Sequence, residues 1–369
     1  MEGPGSLAAM HIVVGALGAV LVTLMLTEIF LAFLLPRRVK RDPRLVRRLQ
    51  GWAWRPWRAV ARRLPDDLGD TVLGIFGPLG LLFSLLLWVL GLMIGYAALQ
   101  WAGGSHVVPG GHGSFGDDVY FSAASLVASG TGTLHSASTF ARTVQIIDAA
   151  SGFAVLTIVI GYLPALAQAF SRREATVSQL DARAGSPPSA GRLIVRTTHR
   201  GGWASLNGYL GEWETWTAEL METHLSYPAL AFFRSQHVNQ SWLSALCTVL
   251  DACAFAVAAA PTGSVDSARF TFAIGRHAVV DLSYTFRTGT LEPTSDRLPP
   301  SEFTQLLADL RSADLELGVS PATVEDRLRR MRTSYEPYIN ALASRLELTL
   351  PPWTAPESPS DNWRTTEWH

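Results

Sequence analysis

The chain has 369 residues, of which 48% are apolar and only 17% charged, and its formal net charge is −1 at pH 7. Soluble domains run nearer about 25% charged, so this composition excludes a disordered chain, a highly charged nucleic-acid binder and a single small globular domain. Two cysteines, Cys247 and Cys253, exclude a disulfide scaffold.

The charge deficit lies in the first half: residues 1–170 hold 12 basic and 9 acidic side chains, residues 171–369 hold 18 and 22. Three apolar stretches there, 7–35, 71–101 and 143–170, are predicted to be transmembrane helices, since each exceeds the roughly 20 residues that cross about 30 Å of hydrocarbon. The first is read as a span rather than a signal peptide, because residues 1–6 carry no basic charge and the stretch is too long for one. Its Glu28 is expected to pair with an arginine of the linker that follows. That linker, within 37–69, holds eleven basic residues over 37–63, among them Arg37, Arg38, Lys40, Arg41, Arg47, Arg48, Arg62 and Arg63. Residues 102–140 hold none. The positive-inside rule therefore predicts an outside N-terminus, a cytoplasmic first linker and a cytoplasmic chain after Phe170, where Arg172 and Arg173 agree. Trp52, Trp54 and Trp57 among Arg55 and Arg58 predict an interfacial helix attracted to anionic lipids. Beside membrane spans, this run does not read as a nucleic-acid patch. The use of one lysine (Lys40) against 29 arginines points to a GC-rich, bacterial genome.

Residues 103–116 form a glycine-rich outward turn region, followed by an apolar, helix-compatible stretch over 117–129. Asp117 and Asp118 stand at its N-terminal end, where the helix dipole favours carboxylates. At about 1.5 Å per residue the stretch reaches only about 20 Å, so it is read as a re-entrant helix. Next come Gly130 and Gly132 at alternate positions. Glycine there opens backbone angles closed to other residues, and a chain alternating in this way can point successive carbonyls to one side. Four such strands around an axis would give rings of oxygens that replace an ion's water shell.

The run Ala128-Ser129-Gly130-Thr131-Gly132-Thr133, with Arg142 opening the third span and Gly152 ten residues later, resembles pore-loop cation channels of the potassium-channel superfamily. The resemblance covers about residues 70–170, with the re-entrant loop over 117–134. It implies a homotetramer whose selectivity filter is Ala128–Thr133, with permeant potassium or sodium in the filter and no other cofactor, and a gating hinge at Gly152. The residues themselves leave a second role open for Gly152, a close helix–helix contact. The departures from the family's T-V-G-Y-G-D pattern include Ala128 for the threonine, Thr131 for the tyrosine and Thr133 for the acid. The departures imply a weaker inner ion site, a less braced filter and a mouth with only Asp117 and Asp118 near it, hence relaxed selectivity. Asp148, four residues before Gly152 and so on roughly its face, either faces the ion path or bonds to the pore helix. No span carries the repeated arginines of a voltage sensor.

Residues 171–191 read as a linker, with Ser-Pro-Pro-Ser-Ala-Gly at 186–191, and 192–348 as a mainly helical cytoplasmic domain. The stretch 242–261 is apolar and just long enough to span, but the central Asp251 and the lack of basic flanks favour a buried bundle helix. Residues 269–286 give mixed signals, with helix preferred. Ser301 and Ser320 are predicted N-caps, with Pro321 at the first helical position. The tail 349–369 is either disordered or clamped onto a neighbour. No nucleophile elbow, Walker loop or dinucleotide fingerprint occurs. The histidines are scattered and the cysteines six apart, so no catalytic residue, no metal site and no enzyme are expected. His224, Tyr227, Arg234 and Gln236 form the one candidate pocket, for an unknown cytoplasmic ligand.

The expected fold is all-α: three transmembrane helices, a re-entrant pore helix with its filter loop, and a helical C-terminal domain. The expected function is a homotetrameric cation channel of the inner membrane, most readily potassium-conducting, opened under control of the cytoplasmic domain. A non-selective cation channel and a non-conducting sensor or adaptor that retains the fold are the alternatives.

Overall fold

A computed structural model describes residues 4–33, 45–104, 113–132, 134–199, 201–237 and 239–354. They form α1 (Pro4–Phe33), α2 (Leu45–Ala61), α3 (Asp66–Ala102), α4 (Phe115–Leu126), α5 (Thr139–Ala184), α6 (Ala190–Thr198), α7 (Gly202–Ser226), α8 (Trp242–Ala259), α9 (Asp266–Phe286), α10 (Pro300–Ser312), α11 (Pro321–Arg332) and α12 (Glu336–Leu346). A 3-10 turn, Pro228–Phe232, lies between α7 and α8, and no strand occurs among the described residues. The segment expected as a linker from 171 is helical to Ala184, because α5 continues unbroken for 46 residues. Arg37, Arg38, Lys40, Arg41 and Thr133 lie outside the described residues.

Four helical segments are long and apolar enough to cross a membrane: Ala8–Phe33, Leu68–Ala102, Thr139–Ala184 and Trp242–Ala259. They are compatible with a membrane-embedded protein. The chain divides into two compact units, one of Met1–Leu64 with Pro78–Leu166, the other of Pro65–Gly77 with Ala167–His369. Of the three boundaries, the first lies between α2 and α3, and the other two fall within α3 and α5, close to Pro78 and Pro164. Each proline lacks the N–H for an i→i−4 bond and so marks a weak point in its helix.

In the first unit, Val22, Met25 and Ile29 of α1 pack on Trp88, Leu92 and Tyr96 of α3. A Cβ on Gly18 would stand 2.7 Å from the Gly95 carbonyl, so the two backbones meet directly. Small residues permit such approach where the solvent is itself apolar and packing must supply the attraction. The exterior is apolar, with Ile12, Val13, Leu17 and Val20 of α1 and Ile146, Phe153, Leu156 and Ile160 of α5 exposed. The interior holds Glu28, Gln100, Asp118, Ser122 and Asp148. Water-soluble units show the opposite arrangement. Glu28, expected to meet a linker arginine, accepts a hydrogen bond from Trp88 Nε1 at 3.2 Å. In α2, Trp54 is buried and Trp52 exposed, and Gln50 Nε2 donates to the Gly80 carbonyl of α3 at 2.8 Å.

The second unit is built around α8, whose residues are all buried except Val257. Asp251 at its centre is completely buried, and Arg297 binds it through two contacts of 2.9 and 2.8 Å. Tyr335 donates its hydroxyl to the same carboxylate, and Glu336 accepts from Arg297 Nη2, which Asp251 shares, at 2.8 Å. An acid in mid-helix is thus paired and hydrogen-bonded inside the protein, as a buried charge requires. The beginning of the tail closes on its own chain: Trp353 is buried and its carbonyl accepts from Gly191 N–H at 2.8 Å. Within this unit the 3-10 turn also holds two helix ends. Phe232 meets Phe76 of α3 with ring centroids 5.4 Å apart, while Arg173 of α5 donates to the Leu230 and Phe233 carbonyls at 2.9 and 2.8 Å.

Candidate functional site

The loop after α4 is the site on which the sequence concentrated its unusual backbone. Helix α4 begins with a capping box: Ser114 Oγ accepts from Asp117 N–H at 3.3 Å, and Ser114 N–H donates to Asp117 Oδ2 at 2.8 Å. Those two free donors of the first turn are thereby satisfied, which is how a helix of only 12 residues is started firmly. The Ser114 backbone N–H, and then its hydroxyl, hold the Asp117 carboxyl below the usual carboxylate range. Asp117 is therefore a cap, and Asp118 is wholly buried.

The helix ends in a Schellman motif. Val127 is the C-cap, Ala128 N–H donates to the Ser125 carbonyl at 3.1 Å, and Ser129 N–H donates to the Ala124 carbonyl at 3.0 Å. Ala128 takes the left-handed conformation that this motif demands, φ 56°. Positive φ then recurs at Gly130, 88°, and Gly132, 61°, and not at Ser129 or Thr131 between them. The alternation expected from the glycines is present over 128–132. Thr131 closes a turn with Leu134, whose N–H donates to the Thr131 carbonyl at 3.0 Å, while Thr131 Oγ1 donates to the Leu134 carbonyl at 2.7 Å. The Thr131 carbonyl is thereby engaged in the chain's own turn.

Behind the loop, α4 is tied to α5. Ser122 Oγ donates to Asp148 Oδ2 at 2.7 Å, both residues buried. Asp148 thus takes the second of its two expected roles, bonding to the short helix. Gly152 lies one turn on, where a Cβ would stand 1.9 Å from the Leu126 carbonyl oxygen. The glycine is a contact between α5 and the last turn of α4. Tyr96 of α3 completes this wall, its hydroxyl 2.6 Å from Ser151 Oγ. After the loop, Arg142 Nε donates to the Ser136 carbonyl at 3.3 Å and Ser136 Oγ to Gln145 at 2.7 Å. These bonds fix the return of the chain into α5.

The pocket candidates of the second unit do not converge on an open site. His224 is completely buried, its Nδ1 2.8 Å from the Leu220 carbonyl and its Nε2 3.3 Å from Arg173 Nη1. Burial, followed by the charge of Arg173, pushes its pKa down to about 3, so the ring is neutral. Arg234 pairs with Asp70 at 2.8 Å and donates to the Leu346 carbonyl at 3.3 Å, closing the C-terminal end of α12. Gln236 is exposed and Tyr227 half-buried. Sequence reasoning missed Arg297 and used Arg173 only for topology; the signal for the former was a lone acid in an apolar run, which requires a cation. Among the described residues no group of three His, Cys, Asp or Glu side chains gathers to hold a metal. Comparison with protein-family models, curated proteins and solved structures found no match for the chain.

Proposed function

We propose that four copies of this chain form a cation channel, with potassium the leading permeant ion, in the inner membrane of a bacterium. The observation that supports this most is the backbone from Ala128 to Gly132, where left-handed residues alternate directly after a short capped helix. One chain supplies one such strand, so a ring of carbonyls requires several copies around an axis. In this reading α1, α3 and α5 cross the membrane with the N-terminus outside, and α4 enters and returns. Helix α8 stays within the cytoplasmic unit, where its neighbours already enclose it. The 3-10 turn that grips Phe76 of α3 and Arg173 of α5 is the means by which that unit acts on the pore. Any such action needs contacts that differ between the open and closed states.

A weakly selective pore is the second reading, favoured by the Thr131–Leu134 turn and by the methyl of Ala128 in place of a hydroxyl. Purified protein in planar bilayers tests both. Unitary currents removed by Gly130→Ala or Gly132→Ala support the filter, and reproducible silence of the unaltered protein overturns the channel. Reversal potentials in mixed salts separate the two: near-absolute preference for potassium removes the weakly selective reading.

A further inference from the structure

Helix α5 leaves one long side exposed. On it Ile146, Phe153 and Ile160 are 69%, 72% and 64% exposed, at steps of seven residues. Ala150 and Thr157 lie between them and are exposed too, so bulky and small side chains alternate at steps of four and three. That is the spacing of a seam between packed helices, in which large side chains enter holes on the facing helix. The seam is uncharged: from Thr143 to Ser171 the one charged residue is Asp148, buried on the opposite side. Thr157 Oγ1 donates to the Phe153 carbonyl at 2.9 Å, so its hydroxyl does not need water. The seam runs into the loop after α4. There the Leu126 carbonyl meets Gly152, and Val127, 70% exposed, is followed by the exposed Ala128, Ser129 and Gly130. Gly152 is 13 residues beyond Thr139, where α5 starts, or about 20 Å along the helix. With α5 across a membrane, this irregular backbone lies inside the hydrocarbon. Lipid cannot satisfy its polar groups, and such backbone is tolerated only against protein or a water-filled cavity.

We infer that this side of α5 packs on α5 of a second, parallel copy of the chain. A lipid chain can cover an apolar seam but not the loop that continues it, and the alternation of bulky and small positions gives the seam its own complement. The exposed row of α1, Val13, Leu17 and Val20, has the same steps but only bulky residues, as a lipid-facing row would. Parallel copies also bring their loops to one depth. The contact needs α5 in the membrane; a ring of four around it rests further on the channel reading.

The chain's two cysteines, Cys247 and Cys253, are buried, so single cysteines placed on α5 report the contact in the full-length protein. Ile146→Cys, Phe153→Cys and Ile160→Cys, each in phosphatidylethanolamine–phosphatidylglycerol vesicles and oxidised with copper phenanthroline, are expected to turn most of the protein into disulfide-linked dimer. Positions 146 and 160 are 14 residues apart, about 21 Å along the helix, so linkage at both requires parallel copies. Val13→Cys and Val20→Cys on α1 should stay monomeric. Ala150→Trp, which fills a small position, should abolish the Phe153→Cys dimer, while Val20→Trp leaves it. Equal linkage on α1 and α5, or none on α5, overturns the contact. Linkage at 153 without 146 and 160 marks antiparallel copies and overturns it as well. So does a phospholipid with a photoreactive acyl chain that labels 146–160 as heavily as 13–20, because lipid then covers the face. Disulfides without bilayer current keep the contact and remove the channel, whereas currents from protein that forms no disulfide at these positions do the reverse.

Discussion

Asp70, in the first turns of α3, and Arg234, just beyond the 3-10 turn, form an ion pair at 2.8 Å across 164 positions of sequence. Asp70 is well exposed, so the pair itself contributes only about 0–1 kcal/mol. Its value is positional: Arg234 also donates to the carbonyls that end α12. Arg234→Ala is therefore expected to lower the unfolding free energy by about 1–2 kcal/mol, from lost charge-assisted bonds. Hydrogen exchange should rise within 65–77 more than within α8, and equal protection in both would refute the anchoring role.

Asp251 and Arg297 are buried together, which makes the sign of their variants informative. Arg297→Met leaves an uncompensated buried carboxylate and is expected to cost about 3–5 kcal/mol. Asp251→Leu combined with Arg297→Met should recover most of that loss, because two charges no longer have to leave water. A double-mutant cycle in denaturant on the full chain reads the coupling. Additive costs would show that the pair does not act as a unit.

Gly152→Ala places a methyl against the Leu126 carbonyl. Overpacking of this kind costs roughly 1–3 kcal/mol, so the variant should lose thermal stability in detergent. A gating hinge predicts the other pattern, unchanged stability with an altered open probability.

Ser122→Ala removes the one donor that Asp148 receives at 2.7 Å. The expected loss is about 1–3 kcal/mol, since a buried acceptor is left unsatisfied. Asp148→Asn keeps an oxygen for the Ser122 hydroxyl and should cost less. The order of the two melting temperatures checks this, and Asp148→Asn being the worse of the two would mean that the charge, not the bond, matters.

The depressed pKa of His224, about 3 when folded, ties stability to pH. An unfolded histidine titrates near about 6.5, so between the two values the unfolded chain binds the extra proton. Stability is then full above about pH 6.5 and declines as pH falls toward 3, by on the order of 5 kcal/mol in total. His224→Gln should flatten that decline. Melting curves at neutral and acid pH measure it, and an identical slope in both proteins would exclude His224 as the source.

The short helix α4 was legible because its length can be compared with bilayer thickness, whereas its start at Phe115, capped by Ser114, lies two residues before the expected one at Asp117. Left-handed backbone at Gly130 and Gly132 was legible for a similar local reason. Ala128 was not, since its conformation comes from the helix ending behind it rather than from its own side chain. His224 and Arg234 looked available in the sequence and are engaged in the fold, by Arg173 and Asp70.

That contrast separates the two sources of information. Composition by itself determined which segments leave water, which side of the chain is basic and where glycine frees the backbone, because transfer free energy and backbone sterics act residue by residue. Only tertiary structure decided the partners of Asp148, Asp251, His224 and Arg234. A buried polar group takes whichever complement the fold brings within about 3 Å, and that depends on the path of the whole chain.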